Sequence, residues 1–321
     1  MTQDIALSRR AVLAGLTALA ATPVWARAKL NIVTTTGMIA DLVRQIGGEA
    51  VAVQGLMGAG VDPHAYRQTR SDIVAMTRAD AVLWHGLYLE AQMEDVLADL
   101  ARKGPVIAVA ESVDTDLLLS HEEYAGRYDP HIWMDPALWV RCVPAVVDAL
   151  SDLMPDARGT FEANAEIFVN EARALGSYAA DLLAQVPTEQ RVLLSAHDAF
   201  GYFGAAYDFE VLGIQGISTE SEAGLNRISE LVDLLVARRL PAVFVETSVS
   251  DRNVRALVEG AAAQGHAVRI GGSLFSDAMG PDGTYEGTWF GMIDHNVTTI
   301  ARALGADAPA AGRLGRLRGA A

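Results

Sequence analysis

The sequence predicts an α/β protein made of two similar lobes, each built on a parallel sheet, joined by one long backbone helix. Three observations carry this. In the first half, short β-rich runs alternate with segments of helical periodicity, the rhythm of a parallel sheet covered by helices. The same alternation returns in the second half. Between them lies a proline-free stretch, Asp156 to Gln185, whose apolar residues recur at helical spacing.

Taken in order, Leu30 to Thr34 reads as a strand, and Met38 to Ile46 as a helix stopped by Gly47-Gly48. Val51 to Leu56 is a strand, Ser71 to Thr77 a helix and Ala81 to His85 a strand. Glu94 to Arg102 is helical and Val106 to Ala110 a strand. In the middle stretch, Phe161, Ala165, Phe168, Ala172, Leu175, Tyr178 and Leu182 fall on one helix face. At ~1.5 Å per residue the expected rod is roughly 45 Å long, stiff enough to resist wide hinging. In the second half, strands are expected over Arg191 to Ser195, Phe209 to Leu212, Ala242 to Val245 and Ala267 to Ile270. Helices are expected over Ala199 to Tyr207, Asn226 to Arg239, Asp251 to Gln264 and Trp289 to Leu304. The expected division is an N-terminal lobe over 29–155, a linking helix over 156–187 and a C-terminal lobe over 188–309. A Gly/Ala/Arg-rich tail over 310–321 is expected to fray.

A chain of 321 residues, half of it hydrophobic and a fifth charged, can bury two ordinary cores and is not disordered. Its start is expected not to join the fold. Ser8-Arg9-Arg10 heads an apolar Ala/Leu/Gly run that ends in Ala26-Arg27-Ala28. This is a signal peptide pattern over 1–28, with the paired arginines of the twin-arginine route. Removing it takes away three arginines and one aspartate, so the remainder is more acidic than the formal charge of −15. Such a surface repels nucleic acid and anionic lipid. Cys142 is the only cysteine, so no internal disulfide or Cys-based zinc site can form. None sits near the cleavage site, which argues for a soluble periplasmic protein rather than a lipid-anchored one. Cys142 itself lies in an apolar helical pattern and is expected to be buried.

The polar residues that can carry chemistry lie in loops. Asp129-Pro130-His131-Ile132-Trp133-Met134-Asp135-Pro136 holds one imidazole between two Asp-Pro pairs, and each proline makes the chain stiff and non-helical. The tripeptide recurs as Asp62-Pro63-His64. His197 and Asp277 each follow a predicted strand, and ligands bind open α/β sheets beyond the carboxyl ends of the strands. Three neutral imidazoles and a carboxylate make a complete shell for a divalent first-row ion in the interlobe cleft. A histidine in a loop is also commonly a capping or packing residue, so spacing alone leaves both readings open. Glu246, Asp129 and Trp133 are candidate supporting residues. Asp129 is an acceptor behind the ligands. Glu246 is a further acceptor, with a spare ligand or a helix N-cap charge as its other readings. Trp133 and Phe275 are walls that exclude water or ordinary core packing. His85 is expected to cap a strand or line the cleft edge, His121 to be solvated, and His266 and His295 to lie on the surface near helix ends. Glu220 is expected in an interlobe loop.

Together, Val61-Asp62-Pro63-His64-Ala65-Tyr66, Tyr128 to Pro136, Ser195-Ala196-His197-Asp198-Ala199-Phe200-Gly201-Tyr202-Phe203, Gly213 to Glu220 and Leu274-Phe275-Ser276-Asp277-Ala278-Met279-Gly280 resemble the metal-binding solute-binding proteins of ABC transporters, cluster A-I. The resemblance covers nearly all of the chain beyond the leader. It implies two α/β lobes on one backbone helix, metal ligands at His64, His131, His197 and Asp277, and a zinc, manganese or ferrous cargo. That cargo is handed to an inner-membrane ABC permease with a cytoplasmic ATPase. The expected receptor is a monomer and not an enzyme. Two departures bear on the cargo. Dedicated zinc members often carry a His- and acid-rich loop, where Ser120 to Tyr128 offers only His121, Glu122 and Glu123. Manganese members often have Glu as the third ligand, where this chain has His197. Nitrogen donors favour zinc by the ordinary stability order, and availability in a cell can overturn it. Proton release on binding is expected below about pH 6.5, the free imidazole pKa. The alternatives are an exported zinc hydrolase or lyase, with Asp277 or Glu246 as base, and a metallochaperone or adhesin with a structural metal.

Overall fold

The computed structural model describes residues 28–120 and 126–318. All but the last residue of the expected leader, the His121 loop and the last three residues of the tail therefore lie outside the described residues. The N-terminal half contains β1 (Leu30–Thr34), α1 (Gly37–Gly47), β2 (Val51–Gly55), α2 (Arg70–Arg78), β3 (Ala81–Trp84), α3 (Glu94–Ala101) and β4 (Val106–Ala108). Its strands form one parallel sheet in the order β2-β1-β3-β4, with Ile32 of β1 opposite both Val53 and Ala81. A parallel sheet is covered on both faces, which is why β1 and β3 read as apolar runs rather than alternations. Thr36 caps α1 by accepting the Ile39 N–H, and Thr69 and Asp72 form a reciprocal capping box on α2.

Two helices follow that the strand-helix rhythm does not announce: the single turn α4 (Pro136–Trp139) and α5 (Val143–Leu153). The Asp135 carboxylate starts α4 by accepting the Ala137 N–H at 2.8 Å. Cys142 lies between the two helices and is fully buried.

The long helix α6 (Arg158–Leu183) has 26 residues, about 39 Å at ~1.5 Å per residue. It buries Phe161, Ala165, Phe168, Ala172, Leu175, Ala179 and Leu182 on one face. That face packs on α1, α4 and α5, and on the last helix of the chain. Truncating a fully buried anchor such as Phe161 to alanine costs about 3–5 kcal/mol.

The C-terminal half contains β5 (Val192–Ser195), α7 (Gly201–Tyr207), β6 (Glu210–Gly213), α8 (Leu225–Arg238), β7 (Ala242–Glu246), α9 (Arg252–Ala263), β8 (Arg269–Leu274) and α10 (Trp289–Ala303). Its strands pair in parallel, β5 with β6 and β7 with β8, and β5 lies beside β7. The architecture is the expected one of two parallel α/β lobes on a backbone helix. The main apolar core nevertheless does not stop at that helix. It runs from β1 and α1 through α6 to Phe200, Phe244 and α10. The Asp41 carboxylate of α1 accepts the Trp289 N–H at the start of α10, at 2.9 Å.

The tail corrects an expectation. As far as Arg318 it is docked rather than frayed. The Arg313 N–H donates to both Asp294 carboxylate oxygens (2.9 and 3.1 Å), and the Arg318 N–H donates to Glu286 at 2.7 Å. Arg313 also pairs with Glu171 of α6 at 2.7 Å. Gly312 and Gly315 take the left-handed conformation, which turns the chain so that Leu317 enters the core. The glycines that suggested fraying supply that turn.

Candidate metal centre

Loops at the carboxyl ends of strands from both halves converge on one point. His64 comes from the loop after β2, His197 lies two residues beyond β5, and Asp277 lies three beyond β8. His131 heads a turn of 3₁₀ helix, Ile132–Met134, just before α4. One ligand-type atom from each of the four lies within 4.8 Å of all the others. All four side chains are buried, none more than 3% exposed.

The ring orientations follow from what stands behind them. Asp129 Oδ1 accepts both the His131 backbone N–H (2.9 Å) and the ring Nδ1–H (2.7 Å). Glu246, the last residue of β7, does the same for His197 with its two oxygens: Oε1 accepts the backbone N–H at 2.9 Å and Oε2 lies 2.5 Å from Nδ1. A carboxylate holding Nδ1–H fixes the ring orientation and leaves Nε2 facing inward, free to offer its lone pair to a cation once the ring gives up its second proton. His131 Nε2 then lies 3.3 Å from His64 Nε2 and 3.2 Å from Asp277 Oδ1, and His197 Nε2 lies 3.2 Å from Asp277 Oδ2. His197 Nε2 and both Asp277 oxygens are buried without a well-directed hydrogen bond. The short separations between them therefore reflect crowding around a common centre.

The protonation energetics differ from ring to ring. Burial is the largest effect on every member. For His131 it is outweighed by the Asp129 and Asp277 carboxylates, which raise the ring to about 9. His197 is likewise raised well above its ordinary value, by Asp277 and Glu246. Burial also opposes ionisation of Asp277, yet the two imidazoles hold it well below the ordinary carboxylate range. For His64 burial wins, helped by repulsion from the other rings, and lowers it to about 3. Divalent charge placed among these donors would take over the role that protons play in the metal-free protein.

The supporting residues are more interlinked than the sequence implied. Trp133 is fully buried, but it also donates its indole N–H to Ser276 O at 2.9 Å and so ties the His131 loop to the Asp277 loop. Trp289 in turn donates to Trp133 O at 3.0 Å. Phe275 faces His295 with rings 4.7 Å apart, and Asn296 of α10 clamps its backbone at both N–H and C=O. The Tyr202 hydroxyl donates to Asp129 O at 2.8 Å. A Cβ on Gly201 would come within 2.8 Å of Asp129 Oδ2, so a side chain there would have to displace the carboxylate that holds His131.

The remaining residues fall as follows. His85 is fully buried rather than at the cleft edge. His295 sits in the middle of α10, bonded to Ser273 O, rather than near a helix end. His266 is half-buried beyond α9 and bonded to Leu240 O. Glu220 accepts from Gln92 at 2.6 Å and Thr219 donates to Asp62 at 2.5 Å, so this loop joins the two halves as expected. No supporting role was read from the sequence for Asn296, Tyr202, Ser276 or Trp289. Each contact runs between a side chain and a backbone atom far apart along the chain, which leaves no local signal.

Known proteins agree with this architecture. The profile of the family described as zinc-uptake complex component A, periplasmic, matches residues 32–303. The manganese-binding lipoprotein MntA of Bacillus subtilis is 44% identical over 276 residues, which is 86% of this chain and 90% of that protein. The zinc-binding protein TroA of Treponema pallidum is 45% identical over 273 residues, 85% of this chain and 88% of that protein. The solved TroA structure superposes with a TM-score of 0.84, covering 86% of this chain and 99% of that one. Relatives of nearly equal identity are thus named for different metals. By the span of the profile match and the closeness of both relatives, the chain belongs to the periplasmic zinc-uptake component A family.

Proposed function

We propose that this protein is an extracytoplasmic receptor that captures one divalent transition-metal ion through His64, His131, His197 and Asp277 and delivers it to an ABC permease for import. The observation that carries this is the set of orphaned donors: His197 Nε2 and both Asp277 oxygens are buried without a well-directed partner, beside inward-facing Nε2 atoms. Unsatisfied buried polar atoms are costly, and a cation at their centre satisfies all of them at once. Family membership supports the transport role, since both relatives carry metal-binding names.

The donor set favours zinc over manganese in direct competition, because three imidazole nitrogens follow the ordinary stability order. Manganese remains a competent cargo through the carboxylate, and ferrous iron falls between the two. Four protein donors complete a tetrahedral shell and leave no position for a catalytic water, and Glu246 is already engaged by His197. This supports a receptor over a hydrolase. Among the described residues no helix is long and apolar enough to cross a membrane. We take the protein to be exported, cleaved near Ala28 and active as a monomer; its cysteine, Cys142, is buried.

The test is a titration of metal-free protein beginning at Lys29 with Zn²⁺ and Mn²⁺, separately and in competition, following thermal stability. The expected result is a one-to-one upward shift, larger for zinc and lost in His131→Ala. No shift with either ion would sink the reading.

A further inference from the structure

His85 is not one of the four converging side chains, yet the fold holds it by two indole rings and a backbone carbonyl. It follows β3 and is fully buried. Its ring stacks on Trp139 (centroids 6.2 Å, 12° between planes) and meets the edge of Trp133 at 5.0 Å. Its Nε2 lies 2.7 Å from the carbonyl oxygen of Pro130, the residue before His131. A carbonyl only accepts, so Nε2 carries the proton and Nδ1 is the lone-pair nitrogen. Nδ1 is buried and makes no hydrogen bond among the described residues. Burial lowers the ring to about 3, so it is neutral in the working range.

The chain after His85 takes an uncommon path. Gly86, Leu87 and Tyr88 all have positive φ (87°, 52° and 68°). Two consecutive side-chain-bearing residues in the left-handed region are strained, and such strain persists only where the surroundings over-determine it. Here a buried carboxylate does so. Glu90 accepts the His85 N–H (2.8 Å), the Gly86 N–H (3.2 Å) and the Thr35 hydroxyl (2.6 Å), pinning the turn to the end of β1. Strain, a buried acid and an unsatisfied nitrogen are thus all tolerated to aim one N–H at one carbonyl.

We propose that His85 is a positioning residue for the metal centre: its Nε2–H fixes the Pro130 carbonyl, and through it the angle at which His131 presents Nε2 to the ion. The inference rests on His131 being a ligand. The peptide between Pro130 and His131 is a rigid plane, so holding its oxygen from one side while Asp129 holds the His131 N–H from the other removes the plane's remaining rotation. The sequence reading of a stiff cradle around His131 credits the prolines. The structure adds a fixed external point that the prolines cannot supply.

The test compares His85→Gln, which keeps an N–H at about the position of Nε2, with His85→Leu, which removes it. Affinity is read with Zn²⁺, and geometry with the visible absorption of bound Co²⁺. The expected result for His85→Leu is a ~10–100-fold loss of affinity, the range for outer partners of metal ligands, together with a changed Co²⁺ spectrum. His85→Gln should restore most of the affinity and the original spectrum. A folded His85→Leu protein with wild-type affinity and spectrum overturns the proposal. If that variant does not fold, ring ¹⁵N–¹H spectra of the wild type decide instead: the His85 Nε2 proton must shift when Zn²⁺ is added, and an unmoved resonance overturns the idea. His131→Ala, run alongside, separates the two failures, because its loss of binding is required by the metal reading whatever His85 does.

Discussion

The chain uses the tripeptide Asp-Pro-His twice, and the two copies do different work. In Asp129-Pro130-His131 one carboxylate oxygen takes both the backbone and the ring N–H of the histidine. In Asp62-Pro63-His64 the aspartate takes the backbone N–H at 2.8 Å, while its other oxygen accepts the Thr219 hydroxyl from the opposite half. The consequence is electrostatic. His131, backed by Asp129 and facing Asp277, is raised to about 9, whereas burial lowers His64 to about 3. The same local motif therefore makes one imidazole that is held in orientation by its own aspartate and one whose aspartate takes part in the contact between the halves.

The largest expected effect is on the held ligand. Alanine at His131 should reduce zinc affinity by more than the ~100-fold typical of losing an outer partner. Alanine at His64 should reduce it less, because that ring brings no carboxylate-backed geometry with it. Calorimetric titration of both variants checks this, and equal losses would erase the distinction between the copies.

Next come the aspartates. Asp129→Ala should lower affinity about 10–100-fold. Asp62→Ala should lower it less and act chiefly on the rate of metal loss, which stopped-flow chelation with a fluorescent competitor measures. A larger affinity loss at Asp62 than at Asp129 would reverse the assignment of roles.

The comparison also sets a pH dependence. A raised His131 holds its proton in the metal-free protein until about pH 9, so metal must displace it throughout the neutral range. Affinity should therefore keep rising with pH up to about 9, rather than levelling near the free imidazole value as the sequence alone suggested. For the metal-free fold the sign is the opposite. The stabilisation from His131 is fully present below its unfolded value of about 6.5 and is lost as pH rises through about 9. His64, lowered to about 3, adds a penalty that grows as pH falls from about 6.5 towards 3. Heats of zinc binding at pH 8 in buffers of different ionisation enthalpy should reveal a released proton, and Asp129→Ala should diminish it. Buffer-independent heats would contradict this picture.

The smallest effect is expected at the contact between the halves. Thr219→Val deletes one hydrogen bond, about 1 kcal/mol, or roughly a fivefold faster metal release at unchanged stoichiometry. A release rate equal to wild type would mean that the Asp62 bridge carries no load.

Much of this molecule was legible in its sequence. Helix and strand positions followed from period, because an apolar stripe such as Phe161, Ala165 and Phe168 has only one way to be buried. The residue types of the site were legible because three histidines and an aspartate suit a transition ion, His64, His197 and Asp277 following strands and His131 standing between two Asp-Pro pairs. The single turn α4 was missed because Pro136 read as holding the chain non-helical, and α5 was noted only as the apolar helical pattern around Cys142. In both helices the proline occupies the first turn, where it is at home. The tail was misjudged because glycine composition suggests freedom, while Asp294, Glu286 and Glu171, which anchor it, are remote in sequence.

The sequence by itself determined the strand-helix alternation of both halves, the two-lobed α/β build and the list of side chains able to hold a metal. All of these rest on short-range periodicity, turn chemistry and donor type. Only the tertiary structure decided which carboxylate stands behind which ring, that Trp133 ties two ligand loops together, and that His85 aims at Pro130. Those pairings depend on which loops meet at the ends of the sheets, and contacts between residues far apart along the chain leave no local pattern to read.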